Sequence, residues 1–250
     1  MRSEAEKAAT QANRKMKVKK DPDSPKKKSG SPKGNKNRDK TQVELTPELK
    51  RIQFMVPKQL ELLQNVVTIR HLALDGHFGN NKALQMVLQC GFHLISKLRH
   101  DSALYFHNDG LQKSKVPRKN YGKKVDNRNI PEKFLVDKSV EGDIETCIYQ
   151  VAMLHRDFAQ PLNVVMIIKT NLKTGAFANV TLFSSDLEIS YEKIIDFYGL
   201  RFQFEFNFRD AKQYWGLEDF MNIKQLPLIN ALNLSLFIIN ISQVLLCEFR

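Results

Sequence analysis

The sequence predicts a mixed α/β fold, and three features of the chain support this class. Residues 66–99 contain strand, helix and strand patterns in succession, which is typical of two parallel strands joined by a crossover helix. Residues 133–184 contain four further strand patterns separated by turns, which favour an antiparallel sheet. Two long helices are predicted beyond residue 186. With 250 residues, 42% of them hydrophobic, the chain is long enough for one domain with a sizeable core.

The first 44 residues are predicted to be a disordered basic segment. Residues 1–40 contain fourteen Lys and Arg against five Asp and Glu, so they carry +9 of the net charge of +12. Their composition cannot bury enough apolar surface to offset the entropy of ordering. A cationic segment favours a polyanionic partner, because neutralised phosphates release counterions. A solubilising tail is the alternative interpretation.

The first ordered elements follow this basic segment. Thr46, Pro47 and Glu48 supply the capping hydroxyl, the proline and the early acid that are typical of a helix start. Asp75 directly follows the first buried strand, and Gly91 closes the next helix in a position where left-handed geometry is common. The elements expected here are helices at 58–64 and 80–90 and strands at 66–74 and 92–99.

A basic loop at 107–129 precedes the antiparallel block, and Ser190 is the expected cap of a long helix. The strands expected in the block are 133–136, 146–155, 163–170 and 178–184. The stretch from Leu226 to Cys247 has 22 residues without a charge, which is long enough to cross a bilayer. Its scattered amides would be costly in hydrocarbon. We therefore expect a buried C-terminal core helix and no membrane contact, with a membrane span as the alternative.

Four residues of the long helix form the strongest functional pattern. Tyr198, Arg201, Glu205 and Lys212 are spaced by three, four and seven residues, which places them within roughly 60° of one helical face. A carboxylate flanked by two cations and a phenol is typical of a site for metal and phosphate. Arg201 and Glu205 alone would be an ordinary helix-stabilising ion pair. However, a solvated face would not lie among so many phenylalanines.

The order Y-x2-R-x3-E-x6-K resembles the signature of the DDE-type bacterial insertion-sequence transposases. In that family the glutamate is the third acid of a catalytic triad, and the sequence WGLEDF at 215–220 continues the resemblance. A second similarity is a strand that ends in Asp, an aromatic residue three positions later and a strand that ends in Arg. These features correspond to Asp75, Phe78 and Arg99. The resemblance covers roughly residues 45–250.

The resemblance implies an RNase H-like α/β core with an inserted β-rich segment. The first part of the core would span 45–106, the antiparallel β-rich insertion 107–185, and the signature helix and C-terminal core helix 186–250. We expect the fold to lack the first strands of the core, because no counterpart of them is found before residue 66.

The resemblance also implies the roles of the site residues. Asp75 and Glu205 would be catalytic and would bind Mg²⁺, for which Mn²⁺ can substitute, because hard cations prefer carboxylate oxygens. Tyr198, Arg201 and Lys212 would contact DNA, with arginine suited to bidentate phosphate binding.

The family has three acids, and the first lies on a strand well before the second. Upstream of Asp75, aspartate occurs only in the lysine-rich segment, at Asp21, Asp23 and Asp39. We therefore expect the first acid to be missing and the chain to correspond to the C-terminal part of a longer transposase. Asp186 is an alternative acid that would complete a triad with Asp75 and the glutamate. An aspartate at a strand-to-helix turn, however, often serves as a local cap.

The expected function is metal-dependent DNA strand cleavage and transfer by a transposase of a bacterial insertion sequence. The alternative is a catalytically inactive DNA-binding remnant whose core cannot assemble a two-metal site. The implied partner is DNA, and a homodimer in a DNA complex is a further expectation. Cys90, Cys147 and Cys247 are too few and too far apart for a disulfide framework. This cysteine content favours a reducing cytoplasm, and the resemblance implies the bacterial cytoplasm and association with the nucleoid.

Overall fold

The computed structural model of this chain describes residues 39–63, 67–108, 110, 120–221 and 224–248. The part from Asp39 onwards forms one compact unit. Residues 1–38 of the predicted disordered segment lie outside the described residues, as do residues 111–119 of the predicted basic loop.

The described residues form four α-helices and eight strands. The helices are α1 (Pro47–Leu62), α2 (Asn81–Gln89), α3 (Tyr191–Tyr214) and α4 (Gln225–Glu248). The strands are β1 (His71–Ala73), β2 (His93–Lys97), β3 (Leu104–His107), β4 (Tyr121–Lys124), β5 (Leu135–Glu141), β6 (Ile144–His155), β7 (Leu162–Asn171) and β8 (Phe177–Ser184). Short 3₁₀ turns occur at Gly76–Phe78 and Glu132–Phe134.

The eight strands form one sheet with the order β1-β2-β8-β7-β6-β3-β4, and β5 pairs with β6. β1 and β2 are parallel, as the strand–helix–strand pattern predicted, and the remaining pairs are antiparallel. Ile95 of β2 lies opposite Ser184 of β8, so the strands of the expected insertion continue the sheet of the first two strands. This mixed architecture confirms the predicted α/β class and is consistent with an RNase H-like fold.

Helices cover both faces of the sheet. On one face α1 and α2 pack over a core that includes Leu84 and Phe183, and neither side chain is exposed to solvent. On the other face Ile194 of α3 packs in a cluster with Leu182 of β8. Neighbouring residues of β8 thus face opposite cores, as the strand period of two requires. Each of these buried side chains contributes about 1.5–3 kcal/mol to stability.

The local signals that bound the first helices act as predicted. Leu49 N–H donates to Thr46 Oγ1 at 3.3 Å and caps α1. Ala83 N–H donates to Asn80 Oδ1 at 3.1 Å and caps α2. Gly91 follows α2 with a φ of 81°, which glycine adopts without a steric penalty.

Two early elements differ from the expected ones. The predicted helix at 58–64 is the second half of α1, which continues through Pro57. Its apolar residues pack against the core, and this packing outweighs the hydrogen bond that the proline cannot donate. Of the predicted strand 66–74, His71–Ala73 is paired. β1 lies at the edge of the sheet and has β2 as its single partner among the described strands.

The C-terminal helix α4 is not the buried core helix that the sequence predicted. Its buried residues are Ser235 and Ile239, which lie near Ala211 of α3 and Leu217. The prediction was wrong because apolar composition does not reveal whether the covering partner lies in the same chain. By length and composition α4 is also the one helix of the described part that could cross a membrane. Core helices of soluble proteins satisfy the same criterion.

Candidate active site

Asp75 lies at the carboxyl end of β1, where the chain leaves the sheet. Leu74 N–H donates to the Ile95 carbonyl at 2.9 Å, so the strand stays paired up to the preceding residue. Ser96 Oγ and Phe78 N–H both donate to the Asp75 carbonyl oxygen, at 2.9 Å and 2.8 Å. The backbone of Asp75 is therefore fixed, while its side chain is 53% exposed.

The turn after Asp75 lies directly on β2. A Cβ atom at Gly79 would clash with the backbone carbonyl oxygen of Lys97, so only glycine fits there without a shift. At Gly76 the nearest atom would be 3.5 Å away, which is an ordinary contact. The close approach at Gly79 holds the Asp75 turn against the sheet.

Helix α3 brings the second part of the site to this turn. Ile194 and Tyr198 are buried against the sheet and anchor the first half of the helix. The Tyr198 hydroxyl lies next to the Gly76 N–H and the Arg201 guanidinium. Burial raises the pKa of Tyr198 above its usual value, against the lowering effect of the Arg201 charge. Tyr198 is therefore a neutral phenol at pH 7 that positions α3 on the turn.

Arg201 bridges two carboxylates. Its Nη1 lies 2.9 Å from Glu205 Oε1 and 3.5 Å from Asp75 Oδ1. The guanidinium also lies 4.5 Å from the ring centre of Phe202. Its Nε is buried and has no acceptor among the described residues. An unpaired buried donor costs about 1–3 kcal/mol, which an incoming acceptor such as a phosphate oxygen would offset.

The structure thus brings Asp75, Arg201 and Glu205 together, with Tyr198 beneath them. Tyr198 is only 9% exposed, so its side chain contacts other residues of the protein and is largely inaccessible from solvent. Lys212 is not in this cluster, because seven residues of helix, about 10 Å, separate it from Glu205. Its Nζ forms an ion pair with Glu218 in the segment after α3.

The carboxylates of Asp75 and Glu205 suit a divalent cation in their chemistry. Both contact the same Arg201 nitrogen, so their separation cannot exceed the sum of 3.5 Å and 2.9 Å. Mg²⁺ needs ligand oxygens about 2.1 Å away, so sharing an ion requires Arg201 to move aside. The part of the chain that is described holds no group of three His, Cys, Asp or Glu side chains arranged for a metal. The pair would therefore supply two of the ligands of such an ion.

A groove of about 750 Å³ opens beside Asp75 and is lined by four cationic side chains, Lys97, Arg99, Lys169 and Arg201. The sequence pattern pointed to Arg99 and Arg201 but not to the two lysines. Lys97 and Lys169 occupy strand positions at which the alternation of side chains predicts a buried apolar residue. A lysine at a strand position where an apolar residue is expected is the sequence signal by which Lys97 and Lys169 could have been predicted.

Asp186 lies at the opposite end of β1. Its Oδ2 is 2.9 Å from His71 Nε2, and its Oδ1 accepts the Glu188 N–H at 3.0 Å. His71 begins β1 and Asp75 follows its end, a separation of roughly 13 Å along an extended strand. Burial acts to raise the pKa of Asp186, but the two hydrogen bonds and the nearby charges of His71 and His93 lower it below the usual value. Asp186 therefore does not join Asp75 and Glu205.

Comparison with known protein families gives a match to a family of nucleases. A family model described as "DDE superfamily endonuclease" matches residues 8–145. Asp75 lies within this match, whereas Arg201 and Glu205 lie beyond it. No curated protein matches the chain. Because the match extends over more than half of the 250 residues and Asp75 occupies a site with a second acid, the chain belongs to the DDE superfamily endonucleases.

Proposed function

We propose that this chain is a transposase of a bacterial insertion sequence, which cleaves and transfers DNA strands with Asp75 and Glu205 as catalytic metal ligands. One observation carries the proposal. Asp75 follows β1 and Glu205 lies on α3, yet both carboxylates contact the guanidinium of Arg201. Packing of the hydrophobic core does not require these charged side chains, which are far apart in the chain, to meet at an exposed edge of the sheet.

The residues of this chain have separate roles in the proposal. Asp75 and Glu205 would hold Mg²⁺ or Mn²⁺, which when bound would activate the attacking hydroxyl and stabilise the leaving oxygen of a phosphoryl displacement. Arg201 would exchange its carboxylate contacts for a bidentate contact with a DNA phosphate. Tyr198 would position Arg201 from below.

The DNA would enter along the cationic groove. Lys97, Arg99 and Lys169 line it beside Asp75 and would neutralise consecutive phosphates. Lys212, further along α3, would contact the strand beyond the site after leaving Glu218. Such contacts position DNA but do not read its sequence. The protein would act on DNA in the bacterial cytoplasm.

A second candidate is a catalytically inactive DNA-binding remnant. It is favoured by one observation, namely that the described residues bring together two carboxylates rather than three. A site with two acids that are both held by Arg201 would bind metal weakly. The groove would retain DNA in either case.

The test is nicking of supercoiled plasmid by the purified full chain in Mg²⁺ or Mn²⁺. We would compare Asp75→Asn and Glu205→Gln with the control Asp210→Asn, which removes an acid on α3 that pairs with Arg209 outside the site. Nicking that is lost in the two site variants and kept in the control supports the transposase. If both site variants retain nicking, Asp75 and Glu205 are not catalytic.

A wild-type chain that does not nick plasmid would be tested for DNA binding. Salt-sensitive DNA retention that neither site variant changes, without nicking, would favour the remnant. The same experiment with Lys97→Ala and Lys169→Ala tests the groove, since each loss should weaken retention and reduce its salt dependence.

A further inference from the structure

Glu218, in the turn between α3 and α4, has a backbone conformation that is unusual for a residue with a side chain. Its φ is 92°, and it is the one residue other than glycine with a positive φ in the part of the chain that the structure describes. This region is sterically unfavourable for residues that carry a Cβ. Such a conformation persists where the surrounding structure imposes it.

Buried side chains hold the turn on both sides of Glu218. Leu217, which precedes it, is 5% exposed and packs with Ala211 of α3 and Ile239 of α4. The Leu217 N–H also donates to the Ala211 carbonyl at 3.0 Å. Phe220, which follows two positions later, packs against the same cluster. These two anchors fix the path of the chain and so impose the backbone conformation of Glu218.

This path brings the Glu218 carboxylate back onto α3, where it forms an ion pair with Nζ of Lys212. Arg209 and Asp210, by contrast, are neighbours in the chain and need no turn to meet. The side chains of Lys212 and Glu218 are 50% and 67% exposed, and an ion pair at such exposure contributes little to stability. The stability of the ion pair therefore does not account for the strained conformation.

The position of Lys212 on α3 indicates what the carboxylate does there. Lys212 belongs to the same helical face as Arg201 and Glu205, about 10 Å beyond the glutamate. In the proposed function its ammonium group contacts a DNA phosphate. A carboxylate and a phosphate present the same kind of charged acceptor to an ammonium group. While Glu218 is in place, its charge offsets that of Lys212 and repels an incoming phosphate.

We propose that Glu218 is an autoinhibitory residue, which occupies the phosphate position at Lys212 until DNA displaces it. The inference rests on the proposed function, in which Lys212 contacts DNA. The anchors Leu217 and Phe220 keep the carboxylate beside Lys212 at a high effective concentration. DNA that meets Lys212 alone competes poorly with this carboxylate. DNA that is already held in the cationic groove displaces it within the complex, so Glu218 favours DNA that occupies the whole site.

The test is binding of a fluorescein-labelled DNA duplex to the full chain, measured by fluorescence anisotropy between about 50 and 200 mM KCl. Glu218→Gln keeps the size of the side chain and removes its charge. It should bind DNA about two- to fivefold more tightly, the range that an exposed ion pair contributes. Both residues of the pair are exposed, so the variant should remain folded, which circular dichroism would verify.

The matched control is Glu145→Gln, the same substitution in another ion pair. Glu145 pairs with Lys138 at 2.7 Å. It lies opposite Thr170 in the sheet, so it is on the face away from Lys169 and the groove. The control raises the net charge of the chain by the same amount and should leave DNA affinity unchanged. An equal gain in both variants would show an effect of net charge and would overturn the proposal.

A double variant ties the effect to Lys212. Lys212→Ala should weaken DNA binding, and the addition of Glu218→Gln to it should restore less affinity than the same change gives in the wild type. An equal gain in both backgrounds, or unchanged or weaker binding by Glu218→Gln alone, would overturn the autoinhibitory role. These outcomes leave the proposed function intact if Lys97→Ala and Lys169→Ala still weaken retention of DNA. Loss of that groove effect would instead contradict the proposed function.

Discussion

The Nη1 atom of Arg201 lies 3.5 Å from Oδ1 of Asp75, although the two residues belong to different elements of the fold. The same nitrogen contacts Glu205 at 2.9 Å, so one cation stands between the two acids. A divalent ion placed on these acids would compete with the guanidinium for the same oxygens. In the proposed function Arg201 would therefore control when the acids are available, and its exchange onto a DNA phosphate would release them for metal.

Removal of this competing cation should strengthen metal binding. Arg201→Met keeps an unbranched apolar stem but removes the charged guanidinium, which leaves two carboxylates that repel each other without a counterion. We expect Mn²⁺ to bind about tenfold more tightly, a change of about 1.4 kcal/mol, as measured by isothermal titration calorimetry. Arg209→Met, which removes a cation paired with Asp210, is the control and should not alter the affinity. Unchanged or weaker binding in Arg201→Met would show that the arginine does not compete with metal.

The turn that carries Asp75 should tolerate a methyl group at one glycine but not at the other. Gly79→Ala places a Cβ against the Lys97 carbonyl and should destabilise the fold by about 2 kcal/mol, as overpacking of a tight contact does. Gly76→Ala finds its nearest atom at 3.5 Å and should cost less than about 1 kcal/mol. Urea denaturation of both variants would measure the difference. Equal stabilities would mean that the turn is not held on β2 as described.

The sequence was sufficient to predict most of the helices and strands and to point to Asp75 and Glu205 as candidate acids, but not the contacts among them. The helix start at Thr46 and the end at Gly91 depend on local chemistry, so they could be predicted from a few residues. The pairing of β8 with β2 depends on contacts between distant segments, which no local pattern specifies. The contact between Arg201 and Asp75 likewise depends on how α3 lies across the sheet. For the same reason the apolar composition of α4 gave the wrong prediction of a core helix.

The stability of the fold should fall as the pH is lowered below neutrality, and His155 should cause part of this loss. Burial lowers the pKa of His155 below its usual value of 6.5, against the opposing charge of Asp157. Its Nδ1 also accepts the Asp157 N–H at 3.1 Å, a bond that protonation would break. Between the usual and the lowered pKa the unfolded chain binds the proton and the folded chain does not, so stability decreases as the pH falls.

His155→Gln should flatten this dependence. The slope contributed by one proton is at most about 1.4 kcal/mol per pH unit, and the variant should lack it between pH 7 and pH 5. Urea denaturation of both proteins at several pH values would provide the two curves. Parallel curves would show that His155 does not take up the proton on unfolding.

Asp186→Asn should separate the structural role of this residue from a role in metal binding. The folded chain lowers the pKa of Asp186, so the carboxylate stabilises the fold above the usual pKa and loses this effect as the pH falls through the lowered value. At pH 7 we expect the variant to be less stable by about 1.5–3 kcal/mol, the value of a hydrogen bond to a charged group. The difference should shrink below about pH 4.

Metal binding by the same variant decides whether Asp186 belongs to the metal site, because Asp186 contacts His71 at the far end of β1. Asp186→Asn should bind Mn²⁺ as the wild type does, whereas Asp75→Asn should bind it at least tenfold more weakly, by loss of a ligand carboxylate. If the two substitutions weaken binding equally, Asp186 belongs to the site with Asp75 and Glu205. The chain would then contain three acids, and α3 and β1 would have to rearrange on binding metal to bring them together.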